Sequence, residues 1–248
     1  RGEVVGINSQ IYSRSGGFMG ISFAIPIDIA IGVAEQLKAK GKVSRGQLGV
    51  HIQELSQELA RSFGRSSADG ALIVNIEPNS AAAKAGVQVG DIVLAFDGRK
   101  VESSKDLPML VGARAPGSKV KLTLWRKGEE KVVEVVLSEL ASTERAASEK
   151  AQPQAAPKMK YDKIGLALSE LSREQRAEAG LNAGLLVENA SGLAAKAGLI
   201  HGDVILAVNQ TPVASLKAFA ELVQGNDTVA LLVRRADSTL FLPLRLRE

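Results

Sequence analysis

The apolar positions fall into short, strand-length runs separated by glycine-centred turns, and one such arrangement occurs twice. In residues 81–98 an alanine-rich stretch ends at Gly86, a Gly90-Asp91 turn follows, and the apolar run Ile92–Phe96 closes at Asp97-Gly98. Residues 193–210 repeat it, with Gly198, Gly202 and Asp203 in the same places and the run Val204–Val208 closing at Asn209-Gln210. Each copy predicts a helical turn ended by a glycine at positive φ, then a tight turn and a buried strand. Upstream, Gly49-Val50-His51-Ile52 aligns with Gly165-Leu166-Ala167-Leu168; downstream, Val101, Leu107, Leu110 and Val111 align with Val213, Phe219, Leu222 and Val223. A unit repeated on this scale predicts two domains of about 85 to 95 residues, each large enough for its own core. They are expected at residues 44–138 and 161–248.

Residues 1–43 lie outside the repeat. Residues 3–12, rich in β-branched side chains, predict a strand, residues 13–20 a glycine-rich turn, and residues 21–25 a return strand closed by Pro26. Asp28 is placed to cap a helix in which Ile29, Val33 and Leu37 form one apolar stripe ending near Gly41. A hairpin and one helix bury little alone, so this segment reads as the tail of a larger domain whose beginning is missing. Residues 139–160, rich in Ala, Ser, Glu, Lys, Gln and Pro, predict a linker, with some helix at 142–151 before Pro153 and Pro157. Such a tether predicts domains that reorient.

Composition narrows the function classes. The net charge is +4, from 31 basic and 27 acidic residues, and one Trp, two Tyr and six Phe are spread thinly. Nucleic-acid binding needs a clustered basic face and stacking aromatics, and the sequence offers neither. With no cysteine, disulfides, thiol nucleophiles and Cys-metal sites are excluded; no metal or cofactor is expected. The stretch closest to a membrane segment, residues 20–37, contains Pro26, Asp28 and Glu35, which predicts a partly buried helix of a soluble protein and no membrane span.

Residues 2–8, the glycine-rich loop, Gly20-Ile21-Ser22-Phe23-Ala24-Ile25-Pro26 and the following helix resemble the end of the trypsin-like domain in the HtrA/Do family of serine proteases. Arg45-Gly46-Gln47-Leu48-Gly49-Val50 resembles the start of that family's first PDZ domain, and two PDZ-like repeats resemble its periplasmic bacterial branch. The resemblance implies an α+β chain: two PDZ domains, each a small antiparallel β-sandwich with two helices, after a hairpin-plus-helix remnant of a trypsin-like β-barrel. It also implies a periplasmic location and a role in protein quality control. The family's Gly-Asn-Ser-Gly-Gly nucleophile motif is absent. Triad chemistry needs a serine beside an imidazole oriented by a carboxylate, and only His51 and His201 are available, both read as structural. The chain is therefore expected to be inactive as a serine protease, with no catalytic residues of its own. Gly16, Gly17 and Gly20 are not followed by a Gly-Lys-Ser/Thr helix start, so they read as a hairpin tip beside the family's substrate pocket rather than a phosphate cradle.

PDZ domains bind by adding a peptide strand to a sheet edge, with the terminal carboxylate held by backbone N–H groups. That task assigns Gln47, Leu48, Gly49 and Val50 to the first carboxylate loop, and Lys163, Ile164, Gly165 and Leu166 to the second. The receiving strands carry Val50 and Ile52, and Leu166 and Leu168. Leu107 and Val111 in the first repeat, and Phe219 and Val223 in the second, line the helical wall. Leu110 and Leu222 read as core, Arg45 as a solvated charge, and Asp91 and Asp203 as turn formers. The expected partners are C-terminal peptides and misfolded protein segments, with self-association driven by the unpaired edges of residues 1–26. Alternatives are a purely structural role in subunit assembly, and a hydrolase using an unconventional pair such as Ser-Lys.

Overall fold

The computed structural model describes residues 1–13, 17–139, 158–161, 164–172, 175–176, 179–181 and 183–246, with the backbone alone for 158–161. The Gly16 position of the glycine-rich loop, Lys163 and the expected linker helix lie outside the described residues. Two compact units result, Arg1–Arg45 and Gly46–Glu248.

The first unit is an antiparallel hairpin, β1 (Gly6–Ile11) and β2 (Ser22–Pro26), followed by α1 (Ile27–Lys40). The helix stops at Gly41, whose left-handed conformation lets its N–H reach the Leu37 carbonyl. Asp28 sits in the first turn but does not cap; the N-cap residue is Pro26, without a side-chain bond. No residue of α1 is buried. Ile7, Phe18, Ile21, Phe23, Ile29 and Leu37 are all exposed, the outcome expected of a single hairpin and one helix, which bury little between them.

In the second unit the repeat becomes two sheets of matching connectivity. The first contains β4 (Val50–Glu54), β5 (Ala71–Ile76), β6 (Ile92–Phe96), β8 (Lys119–Arg126) and β9 (Glu129–Val136), in that order; β7 (Arg99–Lys100) pairs with β6. A short β3 (Gly46–Gln47) pairs with β10 (Ser138–Glu139). Helices α2 (Gln57–Ser62), α3 (Ala81–Lys84) and α4 (Asp106–Gly112) intervene. The second sheet runs β11 (Lys158–Tyr161), β12 (Leu166–Glu170), β13 (Leu185–Ala190), β14 (Val204–Val208), β16 (Thr228–Arg235) and β17 (Ser238–Arg245). In it β15 (Thr211–Pro212) pairs with β14, and the helices are α5 (Gly192–Lys196) and α6 (Leu216–Val223). Even the irregularities recur: β4 and β12 are bulged at His51/Ile52 and Ala167/Leu168, β6 and β14 at Val93/Ala95 and Ile205/Ala207. The sheets extend into the expected linker at both ends, since Glu139 pairs with Gly46 and Lys158, Met159 and Lys160 pair with β12.

Each repeat has its own core, one around Ile73, Phe96, Leu107 and Leu122, the other around Leu168, Val187, Phe219 and Leu231. A third cluster joins them. Leu55, Leu59, Phe63, Leu72 and Ile92 of the first repeat meet Ala230 and Phe241 of the second. The Phe63 and Phe241 rings pack edge to face with centroids 5.3 Å apart. Polar contacts fix the register of this seam. Gln53 donates from Nε2 to the Phe241 carbonyl and accepts at Oε1 from the Phe241 N–H, at 2.9 and 2.8 Å, so one side chain covers the edge of β17. Gln210 Nε2 donates to the Gly90 carbonyl at 2.7 Å, and Arg245 pairs with Glu58. The tethered but freely reorienting pair expected from the linker composition is therefore corrected: the repeats share a desolvated seam.

Candidate peptide-binding grooves

Each groove begins at a loop whose carbonyls are already taken. The Leu48 carbonyl accepts from Ala82 N–H and the Gly49 carbonyl from Glu77 N–H, both at 2.9 Å. Across a planar trans peptide the N–H points opposite to the C=O. The N–H groups of Gly49 and Val50 are thereby turned away from α3 and β5, toward the open side of β4. An extended strand would alternate the two carbonyls. Placing them on one side takes a left-handed residue, and Gly49 has φ 71°. The approach is also close, since a Cβ on Gly49 would lie 2.3 Å from Ser80 Cβ. The second loop repeats this: Ile164 and Gly165 carbonyls accept from Ala194 and Ser191 N–H at 3.0 and 2.7 Å, and Gly165 has φ 69°.

Each receiving strand is tied to its groove helix by a glutamate at its end. Glu54 accepts from the Ser104 N–H and hydroxyl, just before α4, and Glu170 accepts from Leu216 N–H, the first residue of α6. These carboxylates fix the spacing of strand and helix at the far end of each groove. Asp106 turns back to accept from Glu102 and Ser103 N–H, while Ser215 caps α6 by accepting from Ala218 N–H.

The predicted site residues separate by depth. Leu48, Leu107 and Val111 are buried in the first core and Ile164, Leu166, Leu168 and Phe219 in the second. They pack inward from the loop, strand and helix of each repeat. Half-buried Val50, Ile52 and Leu110 remain accessible in the first repeat, and half-buried Val223, Leu216 and Leu222 in the second. Gln47 is half-buried beside the loop and donates to Glu77 at 3.4 Å. Arg45 is exposed. Exposed His51 lies 4.0 Å from Glu77, and His201 Nδ1 contacts the Glu188 carbonyl; among the described residues neither histidine is bonded to a serine. No cluster of metal-ligating side chains occurs among the described residues.

Asp91 and Asp203 do more than form turns. Asp91 accepts from Gln88 N–H and from both Nε and Nη2 of Arg126, which also donates to the Gly86 carbonyl. Asp203 does the same with Ile200 N–H, Arg235 and the Gly198 carbonyl. The carboxylate bonds raise the pKa of both guanidinium groups above the ordinary arginine value. This forked pair locks the helical turn of each repeat to the last hairpin, and so holds α3 and α5 where their N–H groups engage the loop carbonyls. The arginines were not singled out from the sequence, although each stands at a strand end just before a turn.

A strand edge and a helix flanking a loop of outward-turned amides is the architecture of the PDZ domain, and a PDZ-domain profile matches residues 46–137, with a second PDZ profile matching residues 187–235. Probable DegP-like periplasmic serine endoproteases are similar over the whole chain: that of Pseudomonas fulva is 44% identical over 253 residues and that of Halomonas elongata 41% over 251, with 100% of this chain and 52% of each relative covered. Among solved structures, the HtrA-type protease AlgW with a tripeptide is 31% identical, with a TM-score of 0.52 over 57% of this chain and 47% of that one. The same protease with a decapeptide gives a TM-score of 0.50. The chain belongs to the HtrA/Do family, carries two of its PDZ domains, and is periplasmic. It spans about half the length of the curated relatives it matches. No helix among the described residues is long and apolar enough to cross a membrane.

Proposed function

We propose that the first repeat captures C-terminal peptides and extended segments of misfolded proteins for an HtrA-type serine endoprotease of periplasmic quality control. The ligand adds as an antiparallel strand to β4. Its carboxylate is held by the N–H groups of Gly49 and Val50, and its last side chain rests on Val50, Ile52 and Leu110 above Leu48, Leu107 and Val111. The observation carrying this reading is the pair of carbonyls, Leu48 and Gly49, turned inward together, which leaves consecutive amides for an anion. The AlgW structures, determined with peptides, support it. Affinity on the order of micromolar corresponds to about 8 kcal/mol.

The test is fluorescence anisotropy with two peptides of one apolar C-terminal sequence, one a free acid and the other amidated. The acid should bind at least tenfold more tightly. Leu110→Glu, which sets a like charge on the half-buried wall, should abolish that preference, and a thermal melt reads separately what the lost packing costs. Gly49→Glu is unsuitable because its side chain would strike Ser80. Equal binding of acid and amide would contradict carboxylate capture. The exposed apolar rows of residues 1–40 favour a second role in assembly; sedimentation velocity should show concentration-dependent association, and a strict monomer would remove that role.

A further inference from the structure

The two repeats differ at the edge that matters for strand addition. In the first, β4 ends its sheet, with β5 as its neighbour. In the second, β12 is an inner strand, because β11 lies outside it, with Lys158 opposite Ser169, Met159 opposite Leu168, Lys160 opposite Ala167 and Tyr161 opposite Leu166. β11 runs antiparallel to β12 and heads toward the Ile164-Gly165 loop, which is the direction a C-terminal peptide takes in this mode of recognition. It does not end there in a carboxylate; the chain passes on into the loop.

Burial agrees with the pairing. Leu166 and Leu168, at 1% and 0% exposure, occupy the positions of half-buried Val50 and Ile52, and Ser169 is 1% exposed. The bulges of β4 and β12 fall at equivalent residues, so the strands themselves do not account for the difference.

We infer that the second PDZ groove is closed by the protein's own segment Lys158–Tyr161, acting as a built-in strand ligand, and accepts another extended peptide only when that segment withdraws. The inference rests on the reading of these edges as strand acceptors. A ligand joined to its acceptor strand by four intervening residues has an effective concentration of about 1 mM or more. If its intrinsic dissociation constant is about 100 μM, an outside peptide binds roughly tenfold more weakly than to the open groove. The protein therefore presents one open receiving edge and one occupied edge.

Amide hydrogen exchange on the full chain tests this without a peptide. A strand paired on one side protects alternate amides, while a strand paired on both sides protects both sets. β4 should show alternating protection and β12 continuous protection, with cross-strand NOEs between residues 158–161 and 166–169. In the Met159→Pro/Lys160→Pro variant, alternate β12 amides should exchange at least tenfold faster while β13 and β14 remain protected. An acetylated and amidated peptide of residues 155–163, added in trans, should then restore protection in the variant and leave the wild type unchanged. Alternating protection of β12 in the wild type, or absent NOEs, would overturn the inference even if the variant fails to fold. Failure of the acid peptide at the first groove would leave these exchange patterns intact, so the two readings fail separately.

Discussion

Two residues in matching turns show how one motif serves different ends. Gly90 and Gly202 have nearly the same backbone, φ 91° and 88°, yet a Cβ on Gly90 would lie 2.7 Å from Gln210 Cγ whereas Gly202 faces open space. Backbone strain should therefore be common to Gly90→Ala and Gly202→Ala, about 1 kcal/mol each. Thermal melts should show an added loss of about 1 kcal/mol for Gly90→Ala as the Gln210 bond across the seam breaks; equal losses would mean the seam is not populated. The buried carboxylates give a larger effect. Asp91 is 1% exposed and Arg126 is its counterion, so Arg126→Met should cost about 3 kcal/mol in denaturant unfolding. Adding Asp91→Asn should recover part of that. A loss below about 1 kcal/mol would show the carboxylate to be solvated.

At the scale of elements, the loop between α2 and β5 joins an acid-sensitive group to the seam. The Ser67 hydrogen bond, opposed by burial and reinforced by Lys100 and Arg65, holds the Asp69 carboxyl well below its ordinary 3.8. Arg65 binds Asp69 at 2.7 Å and lies over Trp125, whose Nε1 donates to the Phe63 carbonyl. A depressed carboxyl pKa contributes stability above pH 4 that is lost as pH falls through the folded value. Asp69→Asn should thus melt earlier than the wild type at pH 7, and the gap should narrow steadily from pH 4 to pH 2. A gap independent of pH would contradict the ionic role. The hairpin, the apolar runs at Ile92–Phe96 and Val204–Val208 and the helix ending at Gly41 were all legible in the sequence, because period and turn residues encode them locally. β11 was not: Lys-Met-Lys-Tyr lies in a polar stretch, and only its tertiary partner β12 makes it a strand. The Glu54 and Glu170 ties escaped for the same reason, since each acts on a helix some fifty residues further along the chain.

For Gly46–Glu248 as a whole, the seam decides whether two sites move separately. Sequence pattern assigned Phe63 and Phe241 no partner across the repeats, because an apolar residue that seals a seam reads like one that fills a core. Phe241→Ala should open the seam at a cost of about 3 kcal/mol. Trp125, the sole tryptophan, packs against this cluster, so its emission should shift to the red and the radius of gyration should rise. Unchanged emission and radius would show that Gln53 and Gln210 hold the repeats without the ring.

The central claim is that one groove is open to a carboxylate-ended strand and its twin is occupied. The most direct measurement is an amide chemical-shift titration of the chain with the free-acid peptide and its amidated form. The account predicts that the free acid moves the Gly49 and Val50 signals, that the amide moves them far less, and that Gly165 and Leu166 respond only at roughly tenfold higher peptide. Equal movement of Gly165 and Leu166, or no movement of Gly49 and Val50 at saturating peptide, would contradict it.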